Sequence, residues 1–178
     1  MVALGDADSR PSLATRRSFL IEGLMREYTY VIDEDGLIWC EGEQYDAPEI
    51  YEQFYRNMTR APDGRLFTMC LGEKCWIEPR DTPFVVQAVH VERDEKTAPP
   101  ERSARAVTLV LNGEIEEPLD PATLRVGAHH VLYTAVRGGA FPARFTRKAY
   151  YELMRYAVAS GTGFALVLGG REHPIANA

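Results

Sequence analysis

The sequence is poor in cysteine. The chain of 178 residues contains three, at Cys40, Cys70 and Cys75. An odd and small number of cysteines does not make the disulfide framework that stabilises small secreted domains, so it favours a reducing compartment. We therefore predict a cytoplasmic protein.

The sequence also lacks long apolar runs and blocks of basic residues. A bilayer-spanning helix needs about 20 consecutive apolar residues, and no stretch of the chain approaches that length. The net charge is −6, without a cluster of Lys and Arg to coat phosphates, which argues against nucleic acid as a partner. The pair Arg16-Arg17 resembles a twin-arginine export signal, but charged residues such as Glu22 and Arg26 interrupt the uncharged stretch that such a signal requires. We expect neither a membrane nor a nucleic acid partner.

No motif that fixes a chemistry is complete. The sequence has no P-loop, no dinucleotide-binding glycine pattern and no Gly-x-Ser-x-Gly elbow. No cofactor is therefore predicted, and whether the protein is an enzyme stays open. The content of 46% hydrophobic and 26% charged residues is ordinary for a globular protein, and the length suits one domain or two small, closely packed halves.

What the sequence does contain is a helix followed by a hairpin, in residues 46–77. Asp46, Pro48 and Glu49 have the pattern of a helix N-terminus, with Asp46 as the N-cap. Apolar residues then recur at helical spacing, which predicts a helix with one face against a core. The residues of this stripe are Ile50, Tyr51, Phe54, Tyr55 and Met58.

The hairpin follows directly. Strands are predicted at residues 66–70 and 75–78, around a two-residue turn at Gly72-Glu73. Both faces of such a hairpin are largely apolar, so we expect it to lie inside the fold. The turn sets two pairs of facing residues, Cys70 with Cys75 and Met69 with Trp76.

A similar unit occupies residues 146–175. Thr146 is the expected N-cap, and a hairpin with its turn at Gly169-Gly170 follows the helix. The two units share the order of helix and hairpin, which indicates an internal repeat. Because the aligned identities are few, two ordinary helix–hairpin units that arose separately remain an alternative. The apolar stripe of the second helix comprises Ala149, Tyr150, Leu153, Met154, Ala157 and Val158.

The stretch between the units predicts how they connect. Residues 84–91 form the longest β-branched run, which is typical of a central strand, and a strand at 105–111 turns at Asn112-Gly113. We predict an α+β fold of two related helix–hairpin halves, packed on a largely antiparallel sheet and joined through strand 84–91. The predicted divisions are a partly disordered N-terminal tail (1–25), a first α+β half (26–93), a linker (94–104) and a second α+β half (105–178).

Scattered residues carry a family resemblance. In chain order they are Arg26-Glu27-Tyr28, Tyr30-Val31-Ile32-Asp33, Gly36, Gly64-Arg65, Cys70, Gly72, Arg80-Asp81 and Pro83, with Phe164, Leu166, Gly170 and Pro174-Ile175 in the tail. This order resembles domain of unknown function 4505, a family shared by bacteria and animals. The layout is also similar to the bacterial domain of unknown function 1285, which implies an α+β fold with repeated motifs. Neither resemblance implies an activity; the first implies that Asp81 and Pro83 form a structural corner. The chain departs from the pattern in its charged, Pro-containing middle segment and in lacking a second basic residue before Asn57.

The sequence offers one candidate metal or redox site. Cys70 and Cys75, facing each other across the hairpin, supply two soft ligands or a thiol pair, and His90 is a further candidate. The alternative is that both cysteines are small buried hydrophobic residues. The adjacent pair His129-His130 cannot share a metal on a strand, because neighbouring side chains point to opposite faces.

Two groups of residues are candidates for binding an anion. Arg80 and Asp81 lie at the corner before Pro83, where Asp81 alternatively stabilises the turn. Three arginines flank the start of the second helix, next to Gly138-Gly139, and a helix N-terminus with nearby arginines attracts anions. These arginines are Arg137, Arg144 and Arg147.

These features support three function hypotheses. The first is a binding or regulatory module for a small anionic molecule or a protein partner, with its site in a cleft between the halves. The second is an enzyme in the same cleft, dependent on a thiol or a metal. The third is an assembly protein that pairs with its own copy through exposed strand edges, so a homodimer is an open alternative.

Overall fold

The computed structural model describes residues 27–45, 47–70, 72–93 and 104–177. The predicted tail 1–25, residues 94–103 of the predicted linker and the predicted N-cap Asp46 lie outside these ranges. Strands contain 54% of the described residues, which also include two α-helices. In the same residues, no helix has the length and apolar composition needed to cross a membrane.

The bounds of the elements follow in chain order. The helices are α1 (Pro48–Arg56) and α2 (Arg147–Met154). The strands are β1 (Glu27–Ile32), β2 (Ile38–Cys40), β3 (Glu43–Gln44), β4 (Thr59–Arg60), β5 (Leu66–Cys70), β6 (Glu73–Pro79), β7 (Phe84–Arg93), β8 (Ala104–Leu111), β9 (Ile115–Pro118), β10 (Arg125–Val126), β11 (Leu132–Val136), β12 (Phe141–Phe145), β13 (Ala157–Ser160), β14 (Gly163–Leu168), β15 (Arg171–Pro174) and β16 (Ala176–Asn177). Two 3-10 turns lie at Pro121–Thr123 and Ala128–His130.

The first sheet has six strands in the order β3-β2-β1-β6-β5-β4. The central strands β1 and β6 run parallel, and the other neighbouring strands of this sheet are antiparallel. Helix α1 packs on β5 and buries Ile50, Phe54 and Tyr55, as the apolar stripe predicts. The helix begins at Pro48 with Ala47 at the N-cap, and the side chain of Ala47 cannot accept a capping hydrogen bond.

The predicted hairpin register is shifted. Cys70 pairs with Glu73 and Thr68 pairs with Cys75, so the turn lies between Cys70 and Glu73 rather than at Gly72-Glu73. One hairpin face is buried, whereas the other is only partly covered: Trp76 is 9% exposed there, but Met69 is 42% exposed. The expectation that the whole hairpin lies inside the fold was therefore wrong.

The second sheet has ten strands and curls into a half-barrel. Its main path runs β13-β14-β8-β7-β12-β11-β10-β16, with β15 beside β14 and β9 beside β8. Three neighbouring pairs are parallel, namely β7 with β12, β8 with β14 and β10 with β16. The hydroxyl of Thr146 accepts a hydrogen bond from the Ala149 backbone N–H at 3.2 Å, which confirms the predicted cap of α2.

The α+β prediction of two related halves is wrong, because the chain is mostly β and its helices have unrelated surroundings. Helix α1 packs on β5 of its own unit and on β9, whereas α2 packs mainly on β7 and β12. Residues Ala157 and Val158, predicted to continue the second helix, belong to strand β13. Both sheets are mixed, although most strand pairs of the described residues are antiparallel as predicted. The internal repeat is not present as predicted. The position of the long strand β7 explains why two related halves do not form. Helix α2 packs on β7, and β7 belongs to the second sheet alone, so it does not join two similar units.

Candidate functional site

The junction of the two sheets is filled with side chains. The Tyr55 ring lies 5.9 Å from the Phe84 ring, which in turn lies 5.4 Å from the Phe141 ring. The Tyr55 hydroxyl donates a hydrogen bond to the Gly36 carbonyl at 3.1 Å, and the Asn112 side chain accepts one from the Val85 N–H at 3.0 Å. These contacts occupy the space where a cleft between two halves was expected.

The predicted corner residue Asp81 is part of a hydrogen-bonded cluster. One carboxylate oxygen accepts from the Tyr133 hydroxyl at 2.9 Å and from the Arg144 guanidinium at 3.0 Å. Burial raises the pKa of Tyr133, and its hydrogen bond to Asp81 adds to the shift. Arg80 lies 3.8 Å from Glu34 on the other side of the corner. The hydrogen bonds of the cluster link Asp81, in the segment between the two sheets, to strands β11 and β12.

The three arginines predicted near the second helix do not converge. Arg137 reaches the carboxyl end of α1, where its guanidinium donates to the carbonyls of Tyr55 at 3.3 Å and Arg56 at 3.2 Å. Arg144 is held by Asp81, and Arg147 is exposed in the first turn of α2. The structure thus brings Asp81 and Arg144 together but assembles no common anion site from the three arginines.

The cysteines lie on the inner face of the first sheet, away from His90. Burial raises the pKa of the Cys75 thiol to about 11, with the neighbouring Cys70 and Glu73 adding to the shift, and burial also raises the pKa of Cys70. Thiols held protonated in this way react slowly. His90 lies on β7 of the second sheet, 3.6 Å from Glu116, and no group of three metal-ligating side chains occurs among the described residues.

An open groove lies on the second sheet, at residues that the sequence does not indicate as a site. It has a volume of about 410 Å³ and lies between β15, the start of β8 and the segment around the first 3-10 turn. Its rim carries Arg105, Arg171 and His173. Its floor is mainly apolar and is made by Ala106, Val107, Leu119, Pro121 and Leu168. We call this feature the β8–β15 groove.

Strand pairing directs two of the rim side chains toward the groove. Arg171 faces Leu168, and His173 faces Leu166, across the β14–β15 pair. Because directly opposed residues share a face of the sheet, Arg171 and His173 project on the same side as two buried leucines. The groove thus combines an arginine and a histidine side chain with an apolar floor.

Of the two arginines at the groove, one has an ion-pair partner and the other has none among the described residues. Arg105 forms an exposed ion pair with Glu92 at 3.3 Å. Among the described residues, Arg171 has no ion-pair partner. In a chain with a net charge of −6, Arg171 therefore gives this rim a positive charge without a nearby counter-ion in the described part of the chain, which attracts anions.

The sequence contains one weak signal of the groove. Arg171 and His173 alternate after the Gly169-Gly170 turn, which indicates that two polar side chains share a strand face. Arg105 lies far away in sequence, and only the parallel pairing of β8 with β14 brings it to the same place. The pattern of a single strand could not reveal that contact.

The fold defines a class of mostly-β proteins built from two mixed sheets with one α-helix packed on each. Two solved structures share it. A DUF1285 family protein from Silicibacter pomeroyi DSS-3 is 21% identical, with a TM-score of 0.64 over 85% of this chain and 82% of that chain. A DUF1285 family protein from Shewanella baltica OS155 is 15% identical, with a TM-score of 0.53 over 72% of this chain and 92% of that chain.

The comparisons confirm the predicted similarity to domain of unknown function 1285 at the level of fold. No family model matches the chain, and no curated protein matches it. The resemblance to domain of unknown function 4505 is not shown by these comparisons. The structural neighbours belong to a family of unknown function, so their likeness assigns no activity.

Proposed function

We propose that the protein is a binding module for a small organic anion, and that the β8–β15 groove is its site. The observation that carries the proposal is a rim of two arginines and a histidine, Arg105, Arg171 and His173, above an apolar floor. The volume of about 410 Å³ falls within the range of small-molecule sites. The groove is open, so we expect modest rather than tight affinity.

The two parts of the groove select for two parts of a ligand. A guanidinium binds a carboxylate with two parallel hydrogen bonds, and the charge strengthens both. The floor, with Leu119 and Leu168 among its residues, gains free energy by removing apolar ligand surface from water. The best ligand is therefore a carboxylate with a short hydrocarbon chain or a ring, rather than inorganic phosphate.

A matched set of three molecules tests this selection. Hexanoate carries both the charge and the chain, acetate carries the charge alone, and 1-hexanol carries the chain alone. We expect hexanoate to bind more tightly than either control, because each control loses one of the two contributions. Isothermal titration calorimetry measures the affinities, and the melting temperature should rise with hexanoate concentration by mass action.

Substitution of single arginines locates the site. Arg171→Ala should weaken hexanoate binding about tenfold, since a lost charge-assisted hydrogen bond costs about 1.4 kcal/mol or more. Arg147→Ala is the matched control, because Arg147 is an exposed arginine on α2 outside the groove. A loss for Arg147→Ala alone would place the anion at the start of α2 instead, and an equal loss in both variants would show unspecific attraction by charge. Equal affinity for hexanoate and 1-hexanol would contradict an anion site.

The proposal retains two further expectations from the sequence. The cytoplasm is the proposed compartment, since no disulfide joins the three cysteines. The proposed partner is a small molecule rather than nucleic acid or a membrane, and a homodimer remains an alternative that the mass in solution decides. An enzyme built on Cys70, Cys75 and His90 has less support, because His90 lies on the other sheet.

A further inference from the structure

A second cavity lies under α2, at the opposite end of the β14–β15 hairpin from the turn that borders the groove. Its volume is about 170 Å³. Its apolar lining includes Tyr150, Met154, Phe164 and Ile175. Tyr150 and Met154 are four residues apart on α2 and therefore present neighbouring side chains on one helix face.

Ile175 and Asn177, at the end of the described chain, form part of the wall of this cavity. The Ile175 N–H donates to the Phe164 carbonyl at 2.9 Å, which holds the chain against β14. The next two residues form β16, which pairs in parallel with β10 through Val126 and Asn177. The chain thus bridges two distant strands of the curled sheet, and the cavity lies beneath that bridge.

The polar part of the lining comes from loop and strand-end residues, His130, Thr162 and Asn177. His129 and His130 have φ values of 57° and 59°. This left-handed conformation is unfavourable for residues other than glycine, and strained positions of this kind are concentrated at functional sites. Here the strained turn places His130 in the wall of the cavity.

We infer that this cavity is a second binding site, for a neutral molecule with one aromatic ring and one hydroxyl group. A cavity of about 150 Å³ lined by apolar side chains binds benzene in an engineered protein, so the volume here fits one ring. Tyr150 and Phe164 offer ring contacts, and Met154 offers a sulfur–aromatic contact. The described lining contains no Asp, Glu, Lys or Arg, so it offers a ligand no permanently charged partner.

The hydroxyl group of the ligand has three candidate partners. The side chains of His130, Thr162 and Asn177 together provide both donors and acceptors. The site is separate from the β8–β15 groove, which shares none of its lining residues. The inference therefore stands or falls independently of the proposed function.

Phenol is the probe for this site, with benzoate as the charged control of similar size. In a two-dimensional ¹H–¹⁵N NMR titration of the full chain, phenol should shift the amide signals of Val126, Thr162 and Gly163 to saturation. Benzoate should bind there at least tenfold more weakly, because its carboxylate loses water without gaining a cationic partner.

Substitution of two adjacent tyrosines tests whether phenol binds in the cavity or on the nearby surface. Tyr150→Ala should weaken phenol binding at least tenfold. Tyr151→Ala should weaken it clearly less, since Tyr151 is 63% exposed and does not line the cavity, and contributes only a ring contact to Tyr150 at 5.4 Å.

Three outcomes would overturn the inference. They are phenol shifts that do not saturate, shifts centred away from the three named amides, and equal losses in the two tyrosine variants. If Tyr150→Ala fails to fold, as its melting curve will show, the titration of the unmodified protein with phenol and benzoate decides alone.

Discussion

Arg137 shows how one residue has a role that its sequence context did not indicate. It lies in the turn between β11 and β12 with a φ of 55°. Its guanidinium donates hydrogen bonds to the last carbonyls of α1 and lies 3.4 Å from the Glu117 carboxylate. The same carboxylate accepts a hydrogen bond from the Arg137 backbone N–H at 2.7 Å. A cation at the carboxyl end of a helix is favourable because it offsets the partial negative charge there. Arg137 therefore stabilises the contact between the two sheets rather than a ligand.

Replacement of Arg137 by Ala should destabilise the fold. Several charge-assisted hydrogen bonds are lost, and Glu117, whose side chain is 20% exposed, keeps its charge without its partner. We expect the free energy of unfolding to fall by about 2 kcal/mol. Chemical denaturation measures it, and Arg147→Ala, at an exposed position, should change it by no more than about 0.5 kcal/mol. A loss for Arg137→Ala as small as that of the control would contradict the capping role.

At the scale of elements, the turn between β8 and β9 fixes how α1 sits on the second sheet. The sequence predicted a turn at Asn112-Gly113, and the structure confirms it between Leu111 and Ile115, which pair. Gly113 has a φ of 73°, and a Cβ built on it would lie 2.7 Å from the Tyr55 ring and 3.0 Å from the Tyr51 carbonyl. The turn is thus pressed against the helix at a point where only glycine fits.

Comparison of two glycine variants isolates this contact. Gly113→Ala combines an unfavourable backbone conformation with a steric clash, whereas Gly138→Ala has a similar φ of 66° and open space around its added Cβ. We expect Gly138→Ala to lower the free energy of unfolding by about 1 kcal/mol, and Gly113→Ala by about 1–3 kcal/mol more. Denaturation curves of the two variants measure the difference. Equal losses would show that the turn does not constrain α1.

At the scale of the whole molecule, the two sheets share one core. A single cluster of buried side chains runs from Ile32 in β1 to Ile175 near the end of the described chain, and it includes Phe84 at the junction. Strand β7 pairs with β8 on the far side of the predicted linker 94–104. Paired strands therefore connect the two parts of the predicted division, residues 26–93 and 105–178. A denaturation experiment tests whether the two parts unfold separately.

We expect the whole chain to unfold in one step, because a shared core makes the two sheets depend on each other. Both tryptophans, Trp39 and Trp76, lie in the first sheet, so their fluorescence reports that sheet alone. Far-ultraviolet circular dichroism reports all strands. The two signals should give the same midpoint of denaturation; an earlier fluorescence midpoint would instead support two separately stable halves.

Local features of the fold were predictable, and long-range features were not. The helix stripe of Ile50, Phe54 and Tyr55 and the Thr146 cap depend on residues within one turn of a helix, so the sequence carries their full signal. The pairing of β7 with β12 and of β8 with β14 depends on contacts between distant segments. Hydrophobic patterns cannot choose between such partners, and the α+β prediction was wrong for this reason.

The candidate sites divide in the same way. The sequence placed Asp81 at a corner and suggested arginines near a helix, but it could not show that Arg144 binds Asp81 or that Arg137 caps the other helix. The β8–β15 groove needs Arg105 beside Arg171, which are brought together by one parallel strand pair. The wall of the cavity under α2 depends on the pairing of β16 with β10, which are distant in sequence.

The sequence by itself determined the charge of the chain, its scarcity of cysteine, the position of both helices and most of the short turns. These properties follow from composition and from neighbouring residues, where backbone preference and side-chain spacing decide the outcome. The tertiary structure alone decided which strands share a sheet, what fills the junction and where cavities remain. Those features depend on burying apolar surface between segments distant in sequence, which is a property of the packed chain and not of any one stretch.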